Sequence, residues 1–427
     1  MAVPSSSSSA RVAGAALPSP VLRTVTPPDS DSAAFVLRLG RALHTRGIPS
    51  YRLEEAMQGL SRRLGLEGTF FSTPTAMFAS FTGDTRSQVH LIRVGSGGTD
   101  LGRLADLDAV STGVANGAVT PAEGLRRVEA IETAPPKYRP ALITACFALN
   151  SAAASVFFGA GVREVAVALL IGLCTGLLAL FAGNSQRPWR AFEPAAAVCA
   201  AVIASLAARF AGPVIVPVAV LAGLVALLPG YTLTTAITEI ATGHLASGSA
   251  RLTSALMALF TLAFGVALGT RCVELAFGPV PAAVAAPLPA WVSLAALLVA
   301  TSTFAVLFSV NPRDLPWVMA VATLGFWGAR AGSAMLGPEL GVFVGAVLVG
   351  SASNAYARFL DRPAVVPLFP GIILLVPGSI GFRSLSSLMA HDVLTGVQTA
   401  FTMVLVAVGL VAGLLLSNDL VNPRRPL

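Results

Sequence analysis

Eight carboxylates stand in the apolar stretch between residues 140 and 417: Glu164, Glu193, Glu239, Glu274, Asp314, Glu339, Asp361 and Asp392. Most fall at the ends of apolar runs, where water reaches them. Glu239 and Asp392 differ, because each follows a Pro-Gly pair in the segment that leads to the next apolar run. An ionisable group at membrane depth is costly and is usually kept for a function. Either carboxylate could hold an ammonium group or carry a coupling proton, and a solvated interfacial carboxylate is the competing account. Thr232, Thr234 and Thr235 follow the first pair, Pro229–Gly230, while Ser379 and Ser384 follow the second, Pro377–Gly378. Hydroxyls in these places can bond a carboxylate, but capping a half-helix is the commoner use.

Further polar groups fall nearby. Arg383 could pair with a carboxylate or anchor a loop. His244 could titrate near neutrality or remain solvated. Asn150 and Asn354 are amides inside apolar runs, placed to glue helices together or to line a cavity. The four cysteines and four histidines are scattered singly, so no metal site is expected. No Walker, nucleophile-elbow or other catalytic pattern is present, and neither an enzyme nor a bound cofactor is expected.

The elements that position these groups follow from composition. The chain is 55% hydrophobic and 11% charged, with a mean hydropathy of +0.76; a soluble domain carries about 25% charged residues. Its solvent is largely lipid. The net charge of +7 comes from scattered arginines and a single lysine, Lys137, between apolar runs. That is a membrane-topology pattern, and no nucleic-acid partner is expected. Spans are expected near 140–160, 163–182, 192–211, 213–230, 250–276, 288–310, 315–335, 338–360, 363–379 and 395–417. Eight arginines against five place the N-terminus and C-terminus in the cytoplasm.

Two of these spans, 213–230 and 363–379, are short and broken by proline and glycine. They repeat at an offset of 148 residues, from Pro229 to Pro377, with Gly230 meeting Gly378 and Gly248 meeting Gly396. Each half holds five spans, an odd number, so the second half enters the bilayer from the opposite side. Backbone groups freed at such breaks are tolerated against protein or a watery cavity, and half-helix N-termini favour an anion. A packing kink inherited by duplication would leave the same trace.

The expected fold is a polytopic α-helical membrane protein of about ten transmembrane helices, as two inverted five-helix repeats behind a small soluble α+β domain. Residues 1–32 form a Ser/Pro-rich tail expected to be disordered. The soluble domain covers 33–137, the first repeat 138–278 and the second 279–427. Within the soluble domain, Ser50 reads as the N-cap of a helix over PSYRLEEAMQGLSRRLGL. FFSTPTAMFASF and QVHLIRV read as strands separated by TGDT. Thr120 and Pro121 open the last helix.

Four motifs carry a resemblance to a known family. LLPGYTLTTAITEIATGHLASGSARL (227–252), LLVPGSIGFRSL (374–385), LGRALHTRGIPSYRLEEAM (39–57) and STPTAMFASF (72–81) resemble the threonine/serine exporters, in family order across about 33–420. The resemblance implies secondary-active export of small hydrophilic amino acids, driven by the proton motive force, from a bacterial plasma membrane. The partners it implies are threonine, serine or a similar substrate, protons and the lipid bilayer, with self-association left open. Related two-subunit systems export dicarboxylates such as succinate, which makes that substrate class the alternative. A membrane-anchored hydrolase or a sensor is the reading from a different class.

Overall fold

The computed structural model describes residues 30–82, 87–95, 97–184, 191–281, 283–284, 286, 288–375 and 378–422. The expected disordered tail lies almost wholly outside these residues, as do Pro377 and most of the TGDT turn.

The N-terminal unit begins with two helices, α1 (Ser30–Thr45) and α2 (Ser50–Arg63). Three antiparallel strands follow in order β1 (Gly68–Thr73), β2 (Ala76–Thr82) and β3 (Ser87–Arg93), then helices α3 (Leu101–Ala115) and α4 (Pro121–Thr133). FFSTPTAMFASF is therefore a hairpin and not one strand. Thr73 pairs with Ala76 across the tight Pro74-Thr75 connection, since proline cannot continue the ladder. Thr120 caps α4 as its sequence predicts, its hydroxyl accepting from the Glu123 amide.

Among the described residues, twelve α-helices make up the rest. The first half holds α5 (Pro140–Phe157), α6 (Val162–Asn184), α7 (Phe192–Phe210), the short α8 (Val216–Gly223), α9 (Gly230–Ala241) and α10 (Leu245–Phe277). The second holds α11 (Ala290–Leu307), α12 (Leu315–Leu336), α13 (Pro338–Leu360), the short α14 (Val365–Ile373), α15 (Gly378–Met389) and α16 (Val393–Leu420). Among the described residues, eight stretches are long and apolar enough to cross a membrane, or nine if the bent pair α8–α9 is one span. The expected spans 213–230 and 363–379 are thus corrected: each is only the first part of a broken span. α8 and α9 meet at 51°, so the chain continues across instead of turning back. Their 8 and 12 residues rise about 30 Å, one hydrocarbon thickness. α12 has the length, at 22 residues, but Gly325, Arg330, Gly332 and Ser333 dilute its apolar character.

The 148-residue offset recurs in the backbone. α9 starts at Gly230 and α15 at Gly378, each 12 residues long, and α10 and α16 start at Leu245 and Val393. The turn between them takes a positive φ at Gly243 in one half and at His391 in the other. Packing repeats as well. A Cβ on Gly265 of α10 would lie 2.7 Å from Ala197 Cβ of α7, and one on Gly413 of α16 would lie 2.8 Å from Ala346 Cβ of α13. Both halves need glycine there to bring two helices into close contact.

The N-terminal unit does not hang free. Its core residues Phe35, Leu39, Leu53 and Leu101 belong to one apolar cluster with Val310, Val318, Tyr356, Val366 and Phe369 of the helical region. The first amide of α3, on Leu101, donates to the Phe308 carbonyl at the end of α11 (2.9 Å). The Tyr138 hydroxyl donates to Val310 O (2.7 Å), and the Lys137 ammonium donates to Asn311 Oδ1. These contacts fix the side of the bundle that faces the soluble unit. α8–α9 ends at that side, whereas α14 begins there, packed on α3.

Candidate functional site

The two helix breaks meet. Between α8 and α9 the chain passes through one 3-10 turn, Val225–Leu227, and Leu228 before Pro229. Pro229 has no amide hydrogen to give and Gly230 begins a new helix, so the first amides of α9 lack intrahelical acceptors; the Gly230 amide turns back to the Leu228 carbonyl (2.8 Å). α15 begins at Gly378. A Cβ on Gly378 would lie 3.0 Å from Gly230 Cα, so the two helix N-termini approach backbone to backbone. Two half-helix dipoles point their positive ends at one place.

That place is a cavity of about 300 Å³, at the lower end of the usual range for a small-molecule site. Gly230, Thr232, Gly378 and Ser379 line it, as does Asn150 of α5. Its remaining wall is apolar, aliphatic side chains alternating with rings that include Phe157, Phe158, Phe304, Phe326 and Phe369. Among the described residues, no charged side chain lines it. Asn150 is fully buried; its Oδ1 accepts from the Thr303 hydroxyl (3.3 Å), while its Nδ2 has no partner among the described residues. A buried donor left open beside a cavity is ready for an acceptor on a ligand.

The other sequence candidates separate into three groups. Thr234 and Thr235 face a second, smaller cavity of about 50 Å³ on the soluble-unit side, and Thr234 back-bonds to the Gly230 carbonyl (3.2 Å). Asn354 lines that same cavity, with Nδ2 donating to Asn418 Oδ1 (3.0 Å) and Val421 O (2.9 Å); this ties α13 to the end of α16. On the far side, Ser384 donates to the Gly396 carbonyl (2.7 Å) and Arg383 is exposed, its guanidinium 5.1 Å from the Phe158 ring centre. Asp392 is exposed there too and caps α16, accepting from the Thr395 amide (3.2 Å). It is nowhere near Glu239.

Glu239 occupies the opposite surface, where the soluble unit docks. It is fully buried at the C-terminal end of α9. Its Oε1 accepts from the Ser50 backbone amide at 2.8 Å, and Arg251 Nε lies 3.1 Å from each carboxylate oxygen. Arg251 also donates to the Ile48 carbonyl (3.4 Å). Ser50 is therefore not the N-cap of α2, as its sequence suggested; Pro49 takes that position and makes no side-chain cap. The cap is Glu239, a carboxylate from the membrane region at the positive end of α2. The Ser50 hydroxyl is instead engaged with Ser247 Oγ at 2.6 Å.

A second pair completes this clasp. His244, between α9 and α10, has Nε2 3.4 Å from Glu54 Oε2 and Nδ1 3.3 Å from the Thr242 hydroxyl. Glu54 also accepts from the Ser72 amide (2.7 Å). Burial holds the Glu54 carboxyl above its usual range, with Ser72 and His244 pulling the other way. Sequence reasoning did not select Arg251, Ser50 or the aromatic wall. Only the first left a usable signal: a short helix-turn-helix after Gly230 brings residues 239 and 251 onto facing turns.

The comparisons with known proteins agree with this architecture. The profile of a family described as a threonine/serine exporter matches residues 34–273, and a second profile of that description matches 293–419. Among curated proteins, the chain is 29% identical over 438 residues to the pheromone-regulated membrane protein 10 of Debaryomyces hansenii, covering 91% of this chain and 42% of that protein. It is 27% identical to the protein of that name in Saccharomyces cerevisiae, at 91% and 54% coverage. It is 24% identical to the uncharacterized protein C16A10.01 of Schizosaccharomyces pombe, at 91% and 51%. The chain thus spans about half the length of the curated relatives it matches. No solved structure matches it. With the first profile alone covering more than half of the chain, this polytopic helical membrane protein belongs to the threonine/serine exporter family.

Proposed function

We propose that the chain is a secondary-active exporter that carries threonine, serine or a similar small amino acid through the cavity at the paired helix breaks. The observation that supports this most directly is the meeting of two half-helix N-termini, at Gly230 and Gly378, in a cavity with no charged side chain. A zwitterion suits such a site. Its carboxylate takes the amides of the two N-termini, the Thr232 and Ser379 hydroxyls and the open Asn150 Nδ2. Its ammonium takes the carbonyls at the ends of α8 and α14 and the aromatic faces.

The two halves run through the membrane in opposite senses in this reading, because α8–α9 ends at the soluble unit and α14–α15 begins there. Exchange of conformations between them exposes the cavity to each side in turn. Proton coupling, a bacterial plasma membrane and a cytoplasmic soluble unit belong to the same proposal, the last supported by the arginine distribution. The chain acts as a transporter and not an enzyme. Two N-termini facing one cavity also suit a dicarboxylate, which is the second reading. Reconstituted vesicles separate them: proton-gradient-dependent movement of labelled threonine is expected, and movement of succinate without threonine would overturn the first reading. Asn150→Ala should raise the KM for the transported species about tenfold, the cost of one lost hydrogen bond to a charged group.

A further inference from the structure

The transport cavity is separated from the soluble unit by two rings. Tyr231 and Phe369 pack with centroids 3.9 Å apart, and both line the large cavity on one face and the small one on the other. The small cavity lies immediately on the soluble-unit side of this partition. Its walls are mixed: Thr234, Thr235 and Thr238 of α9, Asn354 of α13 and Asn418 of α16 bring polar groups among aliphatic side chains such as Leu368 and Leu414. Its roof is the start of α2: Pro49, Tyr51 and Arg52.

Arg52 is the anomaly. Its side chain is carried by the soluble unit into the helical region and is only 9% exposed. A guanidinium stays charged at any accessible pH. Among the described residues no carboxylate stands within ion-pair distance of it; the Tyr51 hydroxyl beside it is its hydrogen-bond partner, and Glu55, one turn on, acts on it only from a distance. Glu239, the buried carboxylate that holds this same turn, is already taken by Arg251 and the Ser50 amide. Burying a cation without a counter-charge is strongly unfavourable unless something else supplies the anion. A cavity with hydroxyl and amide groups on its walls, holding a guanidinium to which no carboxylate is paired, suits a carboxylate.

We propose that Arg52 is the carboxylate-binding residue of an entrance site on the soluble-unit side of the Tyr231–Phe369 partition, and that the Pro49–Arg52 turn is the movable roof of that entrance. The inference rests on the transport reading above. At about 50 Å³ the site admits a carboxylate and not a whole amino acid, so the turn must lift for substrate to pass. The elements that hold the turn down are Glu239 on the Ser50 amide, Arg251 on the Ile48 carbonyl and Ser247 on the Ser50 hydroxyl. A soluble unit that supplies the anion-reading residue of the entrance has a defined task in transport.

The test uses the full chain in vesicles of both orientations. Arg52→Gln should raise the KM for threonine presented on the soluble-unit side about 10- to 100-fold, with kcat much less changed and little effect from the other side. Arg52→Lys keeps the charge but not the bidentate fork, and should fall between. Threonine amide, which lacks the carboxylate, should compete equally well against wild type and Arg52→Gln. If Arg52→Gln does not fold, the Arg52→Lys shift and its loss with the amide carry the same test. Wild-type KM in a folded Arg52→Gln, or an equal rise from both sides, overturns the entrance site while transport by the wild type stands. Absence of both threonine and succinate flux in the wild type removes the transport reading, and the entrance site falls with it.

Discussion

Glu239→Gln should release the soluble unit before it disturbs the transport cavity. The carboxylate sits 3.1 Å from Arg251 Nε through either oxygen and is fully buried. At that separation two unit charges in an effective dielectric of about 20 attract by about 5 kcal/mol before desolvation is counted. Removing one charge from a buried pair costs about 3–5 kcal/mol, because the partner stays behind uncompensated. The amide still accepts from Ser50, so part of the cap survives and the lower figure applies. About 3 kcal/mol corresponds to opening of the docked segment roughly 100 times more often.

Hydrogen exchange measures this directly. Peptides covering the start of α2 should exchange about 100-fold faster in Glu239→Gln, and Arg251→Gln should do the same. The double variant should lose less than the two losses added together, since each single change strands the other charge. If Glu239→Gln abolishes flux while exchange at α2 and thermal melting stay at wild-type values, the carboxylate serves the transported species or its proton. The docking account would then be wrong.

Three more expectations follow from the geometry. Gly378→Ala places a methyl 3.0 Å from Gly230 Cα and should abolish flux while the protein still inserts, because two backbones must part to admit it; full flux would refute the close approach of the breaks. Asp392→Asn should leave transport and melting near wild type, since asparagine caps a helix about as well as aspartate, whereas Asp392→Ala should cost about 1 kcal/mol. Burial holds His44 below its usual 6.5, so the folded protein binds fewer protons than the unfolded chain and loses stability as the pH falls below that value. His44→Gln keeps a donor for the Thr73 carbonyl and should remove that slope; a melting difference that does not vary with pH would contradict it.

The Pro-Gly breaks were readable because their signal is local. Proline without an amide hydrogen and glycine without a side chain restrict the same few residues wherever they fall, and α9 and α15 begin at Gly230 and Gly378. The role of Glu239 was not readable in the same way. Its distance from the cavity was: nine residues of helix beyond Gly230 place it about 13 Å along the axis from the break. What it touches instead, the Ser50 amide, lies 189 residues away in sequence, and no spacing rule links the two. Ser50 misled for the same reason. A serine ahead of a helix usually caps it, and only the neighbouring Ser247 and Glu239 explain why a different oxygen does so here. Arg52 carries no signal of its own in the sequence, because burial is a property of the docked assembly.

These placements bear on how the entrance opens. The clasp and the entrance share one short turn, Ile48 to Arg52, so nothing can enter from the soluble-unit side without loosening Glu239, Arg251 and Ser247 from it. A charged pair that adds about 3 kcal/mol to the cost of opening makes the substrate-free entrance open roughly 100-fold less often than it would without the pair. A substrate carboxylate that reaches Arg52 has differential affinity for the lifted state, where the guanidinium has room for a whole ligand, and shifts the balance by that difference alone. On this account the soluble unit ties opening to the presence of an anion, which limits idle opening of a cavity that has no charge of its own to hold water or ions back.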